Sequence, residues 1–370
     1  MGKKIFGPLL LVLLLIGVGA GIFYSASDKQ ATVSQNQKLS SVIEVVGLSG
    51  SEKMAFLQND QVIAQLAKNN VQLQVRAAGS RQIAFHPDLK TQDFAFPAGA
   101  PGAGKVKETI KSKHEFTPFY TVMAIASWKP IAELLEKNGI AKKTDGIWYV
   151  VDMVKLMDWM AEGKRWKDIP NNSAYSVNKS ILVSTTDVRK SNSAAMYLAL
   201  VSYLANGGEV VSSPSAADLV LPKVTPLFLK QGYQENSSTG PFDDYVSMGM
   251  GKAPLVMIYE AQFIEYLANT PPKDRNPDMV LMYPSPTVFT KHTLVPLTEN
   301  GVRFGKILAE DPLLQKLAAE HGLRINDSAT FKKIQQSRGI KVPDTILDVV
   351  DPPTYEQLEH LITRIETSMQ

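Results

Sequence analysis

The chain of 370 residues contains no cysteine, which excludes disulfides, thiolate metal sites, cysteine nucleophiles and a lipid-modified N-terminal cysteine. It also lacks any run of Lys and Arg interleaved with aromatics, and its formal charge is only +3. Lys3 and Lys4 supply part of that charge at the extreme N-terminus, so the remainder is close to neutral and nothing points to nucleic acid as a partner. Histidine is scarce. The five, His86, His114, His292, His321 and His360, form neither a metal-ligand signature nor a triad spacing, and the sequence calls for no cofactor and no metal. Internal repeats and low-complexity segments are absent apart from an Ala/Gly/Pro-rich loop at 97–104. What remains is ordinary globular material, 44% hydrophobic and 20% charged, long enough for two domains with separate cores.

One long apolar run lies at the start. Residues 5–24 carry no charge and match the ~20 residues that span a bilayer as a helix, while Lys3 and Lys4 ahead of them favour the cytoplasmic side. Segment 1–27 reads either as a transmembrane anchor or as a signal peptide cleaved near Ser25-Ala-Ser27. Both readings export the rest of the chain, to the periplasm or to the outer face of the cytoplasmic membrane. Residues 28–40 are small and polar and read as a linker.

From residue 41 the chain alternates in βαβ grammar. A strand over 42–46 precedes a helix over 52–68, whose Met54, Leu57, Val62, Ile63 and Leu66 share one face. A strand over 71–77 follows. Downstream, 119–126 reads as a strand, 130–137 as a helix stopped by Asn138-Gly139, and 147–151 as a strand before a Met- and Trp-rich helix to 160. A strand over 180–184 leads to a helix over 193–205 with an apolar stripe. Further strands are expected at 254–259, 279–283 and 292–296, and helices to 268 and over 301–308, 312–321 and 354–366. Two βαβ blocks, roughly 41–120 and 180–270, predict two α/β lobes with a cleft, and ligands of such sheets sit where strands hand over to helices.

Four stretches at or near such turns carry candidate chemistry. Gly47-Leu-Ser-Gly-Ser51 resembles the hydrolase elbow G-x-S-x-G but ends in Ser51 where glycine is required, and no histidine is placed by sequence as a base for Ser49. The same turn suits a polar or anionic ligand through unpaired N–H groups and serine hydroxyls, and its spacing also fits a capping box between Ser49 and Glu52. Gly99-Ala-Pro-Gly-Ala-Gly-Lys105 has P-loop spacing, yet Val106 stands where the Mg²⁺-binding Ser or Thr belongs and Pro101 removes a donor, so it reads as a loop. Asp187-Val-Arg-Lys-Ser-Asn-Ser193 opens the best-formed helix with Thr186, Ser191 and Asn192 as donors. It is the counterpart, in the second block, of the Ser-Gly-Ser turn in the first. Tyr259-Glu260 ends another apolar run, and a carboxylate there suits either a helix start or the cleft.

Taken together, Gly47-Leu-Ser-Gly-Ser-Glu-Lys53, Ala78-Gly-Ser80, Thr186-Asp-Val-Arg-Lys-Ser-Asn-Ser193, Pro254-Leu-Val-Met-Ile-Tyr-Glu260 and Tyr283-Pro-Ser-Pro286 resemble the type 2 periplasmic solute-binding proteins of ABC importers, over roughly 41–325. The resemblance implies a two-lobed fold. Each lobe is a mixed, mostly parallel sheet flanked by helices, and one apolar N-terminal helix precedes them. It implies a first lobe from 41–126, a second over 127–283, a return to the first with C-terminal helices over 284–370, and a hinge near 124–127 and 282–286. The implied pocket comprises Ser49, Gly50, Ser51, Gly79, Ser80, Ser127, Thr186, Ser191, Asn192, Tyr259 and Glu260. The implied partners are a small polar or anionic solute, an ABC permease and, through the N-terminal helix, the membrane. Rival readings are an extracytoplasmic hydrolase with Ser49 as nucleophile and an accessory or stress-response protein that uses the fold for protein contacts.

Overall fold

The structure, a computed structural model, describes residues 42–232, 234–346 and 348–369. The expected apolar helix and linker lie outside the described residues, among which no helix is long and apolar enough to cross a membrane.

Among the described residues ten strands are formed: β1 (Ile43–Ser49), β2 (Val71–Ala77), β3 (Phe94–Phe96), β4 (Phe116–Trp128), β5 (Ala141–Thr144), β6 (Ile147–Val150), β7 (Leu255–Tyr259), β8 (Met279–Pro284), β9 (Thr287–Pro296) and β10 (Val349–Val350). They run in the order β2-β1-β3-β9-β4-β8-β6-β5, with β7 also on β4 and β10 on β9. The pairing is mixed. β2, β1 and β3 are parallel, as βαβ units demand, whereas β4 is antiparallel to β7, β8 and β9. Pro118 has no N–H to give, and the β4–β9 register shifts between Phe116 and Phe119.

The two largest cores on this sheet make the molecule two-lobed. Val45, Phe56, Leu66, Phe94, Phe304 and Leu317 belong to the first, and Met157, Trp166, Tyr197, Val224, Tyr245 and Ile258 to the second. The C-terminal helix Tyr355–Thr367 packs Leu358, Leu361 and Ile365 into the second core. β4 passes between them: its first half, to Val122, pairs with β9, and Met123–Trp128 pairs with β7 and β8. The chain crosses again between β8 and β9, through a cis Ser285–Pro286 bond.

Several elements depart from expectation. The helix over 52–68 is a 3₁₀ turn Ser51–Lys53, a helix Met54–Leu57 and a separate helix Asp60–Lys68, because Asn59 turns its side chain to accept from the N–H groups of Gln61 and Val62. The loop at 97–104 is the start of helix Ala100–Ile110, with Gly99 as cap and Pro101 in the first turn, where a missing N–H costs nothing. Residues 180–184 make isolated bridges at Ser180 and Ser184 rather than a strand. Helix Asn192–Ala205 is buried on every side from Asn192 to Ser202 rather than along a stripe. Helix Pro214–Leu229 gives no readable signal because Pro222 and Pro226 lie inside it.

Candidate functional site

The first of the candidate turns stands at the carboxyl end of β1. Because β1 runs through Ser49, the cap of the following turn falls to Gly50, with no side-chain hydrogen bond, and the expected Ser49–Glu52 capping box does not form. The buried Ser49 hydroxyl is 3.2 Å from the Gly50 carbonyl and 3.4 Å from that of Phe96. Among the described residues no histidine hydrogen-bonds to it.

Glu52 turns instead toward Lys53, with which it forms an ion pair, and His292. The Lys53 ammonium lies 3.4 Å from His292 Nδ1 and 4.8 Å from the Phe96 ring centroid. Lys53 and His292 are fully buried, whereas the Glu52 side chain keeps 11% exposure. Burial opposes ionisation of Glu52, but the Lys53 ammonium and the hydrogen bond from His292 overcome it and hold its pKa at about 2. Burial and the Lys53 charge push His292 down to about 4, so its ring is neutral near pH 7. Burial lowers the Lys53 ammonium as well, against the pull of Glu52.

Around this carboxylate the structure gathers residues from four turns. A Cβ on Gly50 would strike both the Glu52 carboxylate and the Ser80 hydroxyl, so the missing side chain is what lets the two lie side by side. Ser80 Oγ accepts from the Ala98 N–H at 2.9 Å, just before the cap of helix Ala100–Ile110. Facing that cap, the Asn192 amide is 3.4 Å from where a Gly99 Cβ would stand. Asn192 begins its own helix, and its Nδ2 donates to Tyr259 Oη at 3.1 Å. Burial raises the Tyr259 phenol, and the nearby Glu52 charge adds to it. The Thr186, Ser193 and Ser191 hydroxyls make a chain with 2.9 Å links behind Asn192. A cavity of about 20 Å³ touches Glu52, Thr121, Tyr259 and His292, room for about one water.

Gly50, Ser80, Asn192 and Tyr259 therefore converge, with Ser49, Thr186 and Ser191 directly behind them. Ser127 and Glu260 do not. Ser127 pairs with Leu255, four residues along from the Met123–Tyr259 pair, about 13 Å at ~3.3 Å per residue, and its hydroxyl is used on the Pro254 carbonyl at 2.9 Å. Glu260 is buried facing Arg324, from which it accepts at 2.6 and 2.8 Å, and it also accepts from Tyr283 at 2.7 Å. With both oxygens held it is a structural ion pair. Ser51 and Gly79 are exposed. Glu52, Lys53, His292 and Gly99 escaped the sequence reading, although Glu52 and Lys53 lie within the turn that it singled out. Among the described residues, no three His, Asp or Glu side chains are grouped as metal ligands.

At the outer edge of the seam Arg81, next to Ser80, ties the lobes together. Its guanidinium donates to both Glu359 oxygens and to the Val188 carbonyl, each at 2.7 Å. A recess of about 420 Å³ borders it, with Phe85, Lys190 and Tyr355 among its walls.

No protein-family model and no curated protein sequence matches the chain. Solved structures do. AfuA of Actinobacillus pleuropneumoniae, a periplasmic binding protein with fructose-6-phosphate bound, is 13% identical over 88% of this chain and 98% of its own, with a TM-score of 0.52. Iron-bound HitA of Pseudomonas aeruginosa is 12% identical over 88% and 99%, also at 0.52. The sulfate-binding protein SubI of Mycobacterium tuberculosis is 15% identical over 85% and 96%, at 0.50. At these identities the likeness is one of fold.

Proposed function

We propose, from the two-lobed fold of the type 2 periplasmic solute-binding proteins that the chain shares, that it is itself a solute-binding protein. It captures a small polar or anionic ligand between its lobes, outside the cytoplasm, and delivers it to an ABC permease or a sensing system. The observation that carries this reading is the meeting of Asn192, at a helix start of the second lobe, with Gly99, the cap of a helix of the first, beside Ser80 and Tyr259. Helix starts offer unpaired N–H groups, and two of them on opposite sides of a seam grip one ligand when the lobes close. The N-terminal Lys3, Lys4 and the uncharged run at 5–24 support export, as an anchored or a cleaved protein. The comparisons support binding over catalysis, since each of the three proteins is described by what it binds or as a binding protein.

Thermal-shift screening against anions, sugars and amino acids tests it. A ligand at 100 times its Kd adds about 2.7 kcal/mol of apparent stability, which is expected for one class of compound. Silence across all of them would overturn solute capture in favour of a role in protein contacts.

A further inference from the structure

The hydrogen-bonding capacity left over at the seam defines a chemistry. Glu52 Oε1 faces Lys53 and His292, and Oε2 has no partner among the described residues. Asn192 spends its Nδ2 on Tyr259, which leaves Oδ1 free to accept. Tyr259 Oη accepts that bond and Ser80 Oγ accepts one from Ala98, so each hydroxyl still has its proton to donate. Two acceptors and two donors thus stand open along the seam, Glu52 and Ser80 beside Gly50 and Asn192 beside Gly99 with Tyr259 bonded to it. An oxyanion brings acceptors only, and the first charge it meets is the Glu52 carboxylate, because the Lys53 ammonium behind it is fully buried. An ammonium ion brings donors only and leaves the Tyr259 and Ser80 protons unmatched. A hydroxyl group donates and accepts at once and satisfies all four.

We propose that the ligand is a neutral polyhydroxylated molecule, a sugar or polyol, and that Glu52 is the specificity-determining contact that turns oxyanions away. Gly50 belongs to the same device, since any side chain there would separate Glu52 from Ser80. The inference rests on the solute-binding reading, which supplies the opening of the lobes through which a ligand enters.

The test is calorimetric titration of the folded chain with D-glucose, D-fructose and myo-inositol, with sodium sulfate and phosphate, and with 1,3-diaminopropane. A sugar or polyol is expected to bind and the ions are not. Removing one charge-assisted hydrogen bond weakens binding by about tenfold or more, so Glu52→Gln should do so. Asn192→Ala, on the opposite lobe and away from the Lys53 ion pair, should do the same, with circular dichroism confirming that each variant is folded. Sulfate, phosphate or diamine binding to the unaltered chain would overturn the ligand class while solute binding stood. Sugar binding unchanged in both variants would overturn the contact assignment. Silence toward every probe would remove both this inference and the function beneath it.

Discussion

His292 is buried beside Lys53 with a neutral ring and no hydrogen-bond partner on Nε2. Its pKa is pushed down to about 4 in the fold against roughly 6.5 in an unfolded chain. The unfolded chain therefore gains a proton first as pH falls, and stability is whole above about pH 6.5 and declines toward pH 4. Urea unfolding at pH 7 and 4.5 should show a loss larger for the native chain than for His292→Gln, on the order of 2 kcal/mol. Equal losses would refute a neutral buried ring. Glu52, held at about 2, adds a separate decline only below about pH 4.5. None of this was legible in the sequence. His292 is one residue of a ten-residue strand, and only the register His292↔Phe119 carries it under Lys53. Glu260 shows the opposite failure. Its place after an apolar run suggested the cleft, but the distant Arg324 claims both of its oxygens.

Elements with strong local signals stand where their residues predict. β1, β2, β6 and β7 follow the β-branched and apolar runs, and Asn138-Gly139 stops helix Lys129–Lys137, with Gly139 at a φ of 72°. The Asp145-Gly146 turn between β5 and β6, with φ values of 55° and 82°, carries a hairpin signal in its Asp-Gly pair. Asn59 is a subtler case. It lies within a continuous helical periodicity, yet its side chain caps Asp60–Lys68 and ends the preceding turn. Asn59→Ala should cost about 1 kcal/mol, measured as a shift in the urea midpoint with an unchanged slope. No loss would mean that packing of Val62 and Leu66 alone sets the helix start.

The two lobes are tied at the seam by Arg81, through its bonds to Glu359 and Val188. The side chain of Arg81 keeps 9% exposure and that of Glu359 30%, so the pair is partly desolvated, and the bond to Val188 anchors it to the loop before Asn192. Each hydrogen bond to a charged group contributes about 1.5–3 kcal/mol when well formed. Arg81→Ala should shift the population toward an open form, read as a larger radius of gyration by small-angle scattering, with the two cores intact by circular dichroism. An unchanged radius would show that Asn192 and its neighbours hold the seam without it. At this scale the sequence by itself determined two α/β lobes, two serine-bearing helix starts and an uncharged apolar run at 5–24. Those depend on periodicity and turn chemistry within a dozen or so residues. Only the tertiary structure decided that Gly50, Ser80, Gly99, Asn192 and Tyr259 surround Glu52, and that Ser127 and Glu260 face elsewhere. Such a meeting depends on strand register and on how two cores share one sheet, and contacts between residues tens to hundreds of positions apart leave no trace in local spacing.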